Sequence, residues 1–213
     1  MTAKIKICGL STPETVDAAV DAGATHIGLV HFEKSPRHLS LEDAAKLRRR
    51  VPESVKIVLL TVAMQPEALA TAYQAVRPDI LQFHGGETPE WMALVKKTLH
   101  VECWRAVGLQ SAQTLERSRK FDGKCDLLLF DAPAKELPGG NGVAFQWDLL
   151  DGWEPFMPWA LAGGLTPDNV ADAIAKTGAP LVDASSGLET APGVKDVDKI
   201  RAFCEAVRSA DAA

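Results

Sequence analysis

Lys4-Ile5-Lys6-Ile7-Cys8-Gly9, followed at once by Ser11-Thr12-Pro13-Glu14, sets the pattern for the whole chain. Residues 4–8 alternate polar and apolar with a period of two, the signature of a β-strand. Ile5 and Ile7 share one face; Lys4, Lys6 and Cys8 share the other. Gly9 lets backbone or ligand approach closely just past the strand. Ser11 or Thr12 can then cap a helix, with Pro13 at its first position and Glu14 at the positive end of its dipole. That helix is expected to run to Ala22 and to stop at Gly23.

The strand–turn–helix unit recurs. Strands are expected at 26–30, 55–62, 79–83, 100–107, 125–130, 159–162 and 181–184. Helices are expected at 41–50 behind a Ser40 cap, from Gln65-Pro66-Glu67 to Val76, and from a Thr88-Pro89-Glu90 cap to Thr98. Others follow at 112–120, in a short piece near Trp147, from a Thr166-Pro167-Asp168 cap to Lys176, and at 196–207. Alternating strands and helices imply a parallel sheet with right-handed crossovers. Eight units, each very roughly 25 residues long, point to a closed (β/α)8 TIM barrel in a single α/β domain. An open doubly wound sheet would place a G-x-G-x-x-G loop after its first strand. Here Gly9 stands alone there and the glycines cluster late.

Composition excludes several classes. The 213 residues are 46% hydrophobic and 24% charged, the profile of a globular protein with a large core. A net charge of -5, with acids and bases mixed, gives no case for nucleic acid or an anionic membrane surface. The N-terminus lacks the basic-then-apolar pattern of a signal peptide, and the longest apolar runs are strand-length. Cys8, Cys103, Cys125 and Cys204 form no C-x-x-C pair, which fits a reducing cytoplasm. The histidines show no metal-ligand spacing.

In a barrel, the C-terminal ends of the strands meet at one mouth, where reactive residues collect. Those ends carry Cys8, the loop with Arg37, Gln82 and His84, Asp131, Gly163-Gly164, and Asp183-Ala184-Ser185-Ser186-Gly187. Loops after the seventh and eighth strands commonly hold phosphate. Gly163, Gly164, Ser185, Ser186 and Gly187 can present backbone N–H groups and hydroxyls to an anion, though tight turns would look the same. Asp131 shares a face with Leu127 and Leu129, so burial should raise its pKa; a turn aspartate is the competing reading. His84 shares a face with Gln82, as either a substrate contact or a satisfied core histidine. Arg37 offers a guanidinium fork suited to a carboxylate. Lys6 should point inward beside Cys8 and needs a carboxylate, Asp183 first and Asp131 second. Cys8 alone could be no more than a small core hydrophobe.

Taken together, Lys6-Ile7-Cys8-Gly9, Ser35-Pro36-Arg37, Leu81-Gln82-Phe83-His84-Gly85, Leu129-Phe130-Asp131, Gly139-Gly140-Asn141-Gly142 with Phe145 and Trp147, Leu161-Ala162-Gly163-Gly164-Leu165 and the run from Asp183 to Glu189 resemble the phosphoribosylanthranilate isomerases of tryptophan biosynthesis. Each motif is weak and the ordered set is specific. The resemblance implies an Amadori rearrangement of a small-molecule phosphosugar, without cofactor or metal. It implies Cys8 as general base, Asp131 as general acid, Arg37 at the anthranilate carboxylate, and the loops of Gly164 and Ser185-Ser186-Gly187 at the phosphate. His84 and Asp183 are expected to face the substrate. Such a pair needs a protonated Asp131 in an apolar surround and a deprotonated Cys8 in a cationic one. Where chemistry limits the rate, the rising limb of the pH profile of kcat is then expected from Cys8 and the falling limb from Asp131.

Two departures touch the anthranilate pocket. His31-Phe32 replaces a more aromatic run, and Ala184 stands where a valine is usual. The related isomerases of histidine biosynthesis use an aspartate at the end of strand one, so Cys8 argues against that activity. A non-catalytic phosphate-binding barrel would keep the glycine and serine loops without needing both Cys8 and Asp131. Monomer and homodimer both remain open.

Overall fold

The computed structural model describes residues 3–132 and 147–210. The stretch Pro138-Gly139-Gly140-Asn141-Gly142 and Phe145 lie outside the described residues. Eight parallel strands close into a barrel: β1 (Lys4–Cys8), β2 (His26–Val30), β3 (Lys56–Thr61), β4 (Ile80–Phe83), β5 (Glu102–Gly108), β6 (Leu127–Asp131), β7 (Trp159–Leu161) and β8 (Leu181–Ala184). β1 pairs with both β2 and β8, which closes the ring. Around it lie α1 (Pro13–Asp21), α2 (Leu41–Arg48), α3 (Pro66–Val76), α4 (Pro89–Leu99), α5 (Ala112–Ser118), α6 (Val170–Thr177) and α7 (Val197–Ala210). Between β6 and β7 the described residues hold only a 3-10 turn, Trp147–Leu150, where the sequence suggests a short helix.

The period-two pattern becomes two cores. Ile5, Ile7, Ile27, Leu29, Ile57 and Leu59 point outward and pack under the helices. Val58, Ile80, Trp104, Ala106, Leu129 and Ala160 fill the barrel interior, where alanines make room for the fully buried Trp104. Lys6 enters that interior on the same face as Cys8.

Three helix starts are set by capping side chains. Thr12, Ser40 and Thr88 cap α1, α2 and α4 by accepting the backbone N–H groups of Thr15, Asp43 and Trp91. Residues 166–168 read as a cap in the sequence but form a turn, and α6 begins later, behind Asn169; α3 and α5 also start without a side-chain cap. The Asn169 side chain accepts from Thr166 N at 2.8 Å and donates to Gly164 O at 3.0 Å. Those bonds fold the chain back before the helix can start. A two-stranded hairpin, β9 (Glu189–Ala191) and β10 (Val194–Lys195), follows β8 and has no counterpart in the sequence reading.

Candidate active site

An open pocket lies at the carboxyl ends of the strands. Cys8, Arg37, His84, Asp131, Gly163, Gly164, Asp183, Ser185, Ser186 and Gly187 all line it, so the fold gathers every site residue read from the sequence. Val30 and Leu60, which no motif singles out beforehand, add apolar wall beside Phe32 and Leu165.

Cys8 ends β1 facing the pocket, and its room comes from the neighbouring strand. It pairs in register with Gly28 of β2, where a Cβ atom would lie 2.8 Å from Cys8 Sγ. One step below, Lys6 pairs in register with Asp183 of β8, and Lys6 Nζ donates to Asp183 Oδ2 at 2.8 Å. Burial pulls the Lys6 pKa down, but Asp183 and the Cys8 thiol more than offset it and hold the ammonium charged. Asp183 is therefore the partner of an inward lysine; among the described residues its Oδ1 has no hydrogen-bond partner, which leaves it free to meet a ligand or water. The thiol behaves differently from expectation. Burial raises the Cys8 pKa above its usual 9.0; Lys6 opposes this and does not overcome it. The cation is present, but its charge is largely spent on Asp183.

Asp131 ends β6, with its side chain on the interior face shared by Leu127 and Leu129. Loss of solvation, with Asp183 as a second negative charge, raises its pKa to about 7. Its Oδ1 accepts the Ala132 N–H at 2.7 Å, which fixes the carboxyl plane. His84 Nε2 lies 3.4 Å from Asp131 Oδ2. Burial lowers the His84 pKa to about 4, helped by Lys6 and Arg105, so the imidazole is neutral near pH 7. His84 Nδ1 and Gln82 Oε1 are buried without partners among the described residues and give the polar mouth unused hydrogen-bonding capacity.

The glycine loops are built for close approach. Gly163 and Gly164 have φ of +86° and +69°, and a Cβ on Gly163 would meet the Ala132 backbone nitrogen at 2.4 Å. A Cβ on Gly187 would lie 2.1 Å from Leu165 O, so the loops after β7 and β8 touch there.

Arg37 carries the largest surprise. Its Nε and Nη2 donate to Oε1 and Oε2 of Glu189, each at 2.7 Å. The fork expected to meet a substrate carboxylate is thus occupied by the protein, and Nη1 faces away from Glu189. Glu189 closes the last motif of the sequence reading but has no role there, and Lys195 is absent from it. Among the described residues, no group of three or more His, Cys, Asp or Glu side chains is gathered to hold a metal ion. Nor is any described helix long and apolar enough to cross a membrane.

Fold and pocket define a (β/α)8 barrel of the enzyme type, with its titratable side chains gathered at the carboxyl ends of the strands. The family model for N-(5'phosphoribosyl)anthranilate (PRA) isomerase matches residues 5–206. The N-(5'-phosphoribosyl)anthranilate isomerase of Erythrobacter litoralis is 66% identical over 206 residues, covering 97% of this chain and 99% of its own. The solved phosphoribosyl anthranilate isomerase from Thermotoga maritima superposes with a TM-score of 0.89 at 30% identity, covering 97% of this chain and 99% of that one. Another solved isomerase, in complex with reduced 1-(o-carboxyphenylamino)-1-deoxyribulose 5-phosphate, superposes with a TM-score of 0.85 at 30% identity, with the same coverage. This chain belongs to the N-(5'-phosphoribosyl)anthranilate isomerase family.

Proposed function

We propose that this chain converts N-(5'-phosphoribosyl)anthranilate to 1-(2-carboxyphenylamino)-1-deoxyribulose 5-phosphate in tryptophan biosynthesis, with Cys8 as general base and Asp131 as general acid. The observation that carries the reading is that a thiol and a carboxyl with a pKa raised to about 7 line one pocket with the two glycine–serine loops.

Ring opening needs a proton at the furanose oxygen as its C–O bond breaks. A carboxyl that titrates at about 7 still holds a usable proton near neutrality, where an ordinary aspartic acid does not. The anthranilate nitrogen's lone pair forms an iminium as the ring opens. That cation acidifies the neighbouring C–H bond. Cys8 takes this proton, and the C–H electrons flow toward nitrogen to give an enolamine. Transfer of the hydroxyl proton to carbon gives the ketone, so atoms balance with no water consumed. The iminium also supplies the positive charge that Lys6, engaged with Asp183, leaves wanting at Cys8. Nη1 of Arg37 meets the anthranilate carboxylate. The Gly163-Gly164 and Ser185-Ser186-Gly187 loops hold the phosphate.

The test is loss of fluorescence of freshly made phosphoribosylanthranilate. The purified chain should consume it; loss no faster than in buffer alone would defeat the reading. Cytoplasmic location and the choice between monomer and homodimer are not needed for it.

A further inference from the structure

Two buried charges beside the pocket make no contact with the reacting groups, although the Lys195 charge acts on Cys8 from a distance and favours its thiolate. The Glu189 and Lys195 side chains are 4% and 1% exposed. They pair across the β9–β10 hairpin, with Lys195 Nζ donating to Glu189 Oε1 at 2.5 Å. Glu189 also takes the Nε and Nη2 of Arg37 and accepts Gly193 N–H at 3.2 Å. Lys195 reaches the other way, to the backbone oxygen of Ser185 at 3.1 Å and its Oγ at 3.3 Å. The hairpin is seated firmly. Gly193, at φ +84°, packs so tightly on the 31–40 loop that a Cβ would lie 2.4 Å from Pro36 O. Lys199 Nζ donates to Glu189 O at 2.8 Å.

Among the described residues the charges do not cancel: Arg37 and Lys195 share the Glu189 carboxylate, the nearby Asp183 is already paired with Lys6, and both cations are largely out of water. A purely structural bridge would need one cation, since each further buried charge costs desolvation. An excess of positive charge beside an open pocket makes sense where anions arrive. Arg37 and Ser185 both line that pocket. Arg37 is a flexible side chain, and two bonds to Glu189 leave its Nη1 end a single direction.

We propose that Glu189 and Lys195 are positioning residues, Glu189 aiming Arg37 at the substrate carboxylate and Lys195 holding the Ser185-Ser186-Gly187 loop for the phosphate. The inference rests on the function proposed above. One hairpin thus supports both anionic ends of the substrate, through separate side chains.

Separate side chains make the test selective. Glu189→Gln and Lys195→Met are assayed for kcat, KM, and competitive inhibition by anthranilate and by inorganic phosphate. Glu189→Gln should weaken anthranilate about tenfold or more and leave phosphate within about twofold. Lys195→Met should do the reverse, and Lys195→Arg should recover much of the phosphate inhibition. KM should rise in both; kcat should stay within about fivefold in Glu189→Gln, which touches no reacting atom, and in Lys195→Arg, which keeps the charge that favours the Cys8 thiolate. Should either variant fail to fold, Glu189→Asp and Lys195→Arg must show the same split in milder form. If both inhibitors weaken together in every variant, or neither weakens, the inference is wrong. A wild-type chain without turnover would instead overturn the proposed function itself.

Discussion

Burial and a nearby cation compete at Cys8, and burial wins, because the Lys6 charge is shared with Asp183. The ligand-free pair therefore has its acid at about 7 and its thiol above 9.0. The form the proposed mechanism needs, carboxylic acid with thiolate, is then fewer than about one molecule in a hundred between those values. This reverses the assignment of the limbs. Below about pH 7, raising the pH forms thiolate while Asp131 stays protonated, so kcat/KM climbs. Between the two values, gain of thiolate and loss of acid cancel. Above the thiol's value only the loss remains. We expect an acidic limb near pH 7 marking Asp131 and an alkaline limb marking Cys8. The rate of Cys8 alkylation by iodoacetamide should follow the alkaline limb; if it follows the acidic one, the ordering is wrong. Cys8→Ser should lose about a thousandfold in kcat/KM, since a hydroxyl is not ionised at these pH values. For Arg37→Lys, a point charge cannot serve both Glu189 oxygens and a carboxylate in one fixed geometry. Its KM should rise about tenfold or more with kcat less affected; kinetics like wild type would reduce Arg37 to a loop residue. The residue types at Cys8, Asp131 and Arg37 were legible in the sequence. The outcome of the competition at Cys8 was not, since it depends on Asp183 far along the chain.

Between residue and molecule stands a repeated device at the opposite end of the barrel. Thr25, Asp79 and Asp126 each sit just before an even-numbered strand. Their side chains accept the N–H of Ile5, Ile57 and Cys103, the second residues of β1, β3 and β5, at 3.0, 2.8 and 2.9 Å. In return Thr25 N, Asp79 N and Asp126 N donate to the carbonyls of the same three residues. Each pair of strands is thus clasped at its amino end, away from the pocket, as expected of a face that serves stability. Asp126→Ala leaves the Cys103 N–H without its acceptor and should cost about 1–3 kcal/mol in urea unfolding, with kcat/KM unchanged. A large loss of activity at unchanged stability would contradict this division of labour. The strands and most helix starts were legible because period-two runs and Thr/Ser-Pro-Glu caps are local signals. The start of α6 was not, because Thr166-Pro167-Asp168 mimics a cap while Asn169 takes the bonds. The β9–β10 hairpin was missed because its strands have three and two residues, too short to show a period. Lys195 was lost with it.

For the molecule as a whole, the acid proposed to drive the chemistry works against the fold. Asp131 titrates at about 7 when folded and near 3.8 when not. Between those values the folded chain keeps a proton that the unfolded chain has released. This group's contribution to stability therefore falls by about 1.4 kcal/mol per pH unit as pH rises, and is constant outside that window. His26 and His84 act with the opposite sign. Burial lowers both from 6.5 to about 4, so between those values the unfolded chain binds protons that the folded chain refuses. Their contribution rises with pH, and two histidines outweigh one aspartic acid, so a wild-type stability curve alone hides the Asp131 cost. The difference between Asp131→Asn and wild type isolates it. An amide does not ionise and keeps an oxygen for the Ala132 N–H that Asp131 accepts at 2.7 Å. We expect Asp131→Asn to lose turnover while its stability relative to wild type grows from about pH 4 to about pH 7 and then levels off. The ceiling is about 4 kcal/mol, from three or so pH units at about 1.4 kcal/mol each. Urea melts at several values from about pH 4.5 to about pH 7.5 read this directly. A difference that stays flat across that range would mean Asp131 is ionised as easily in the barrel as in water, and the proton it is proposed to donate would not be there.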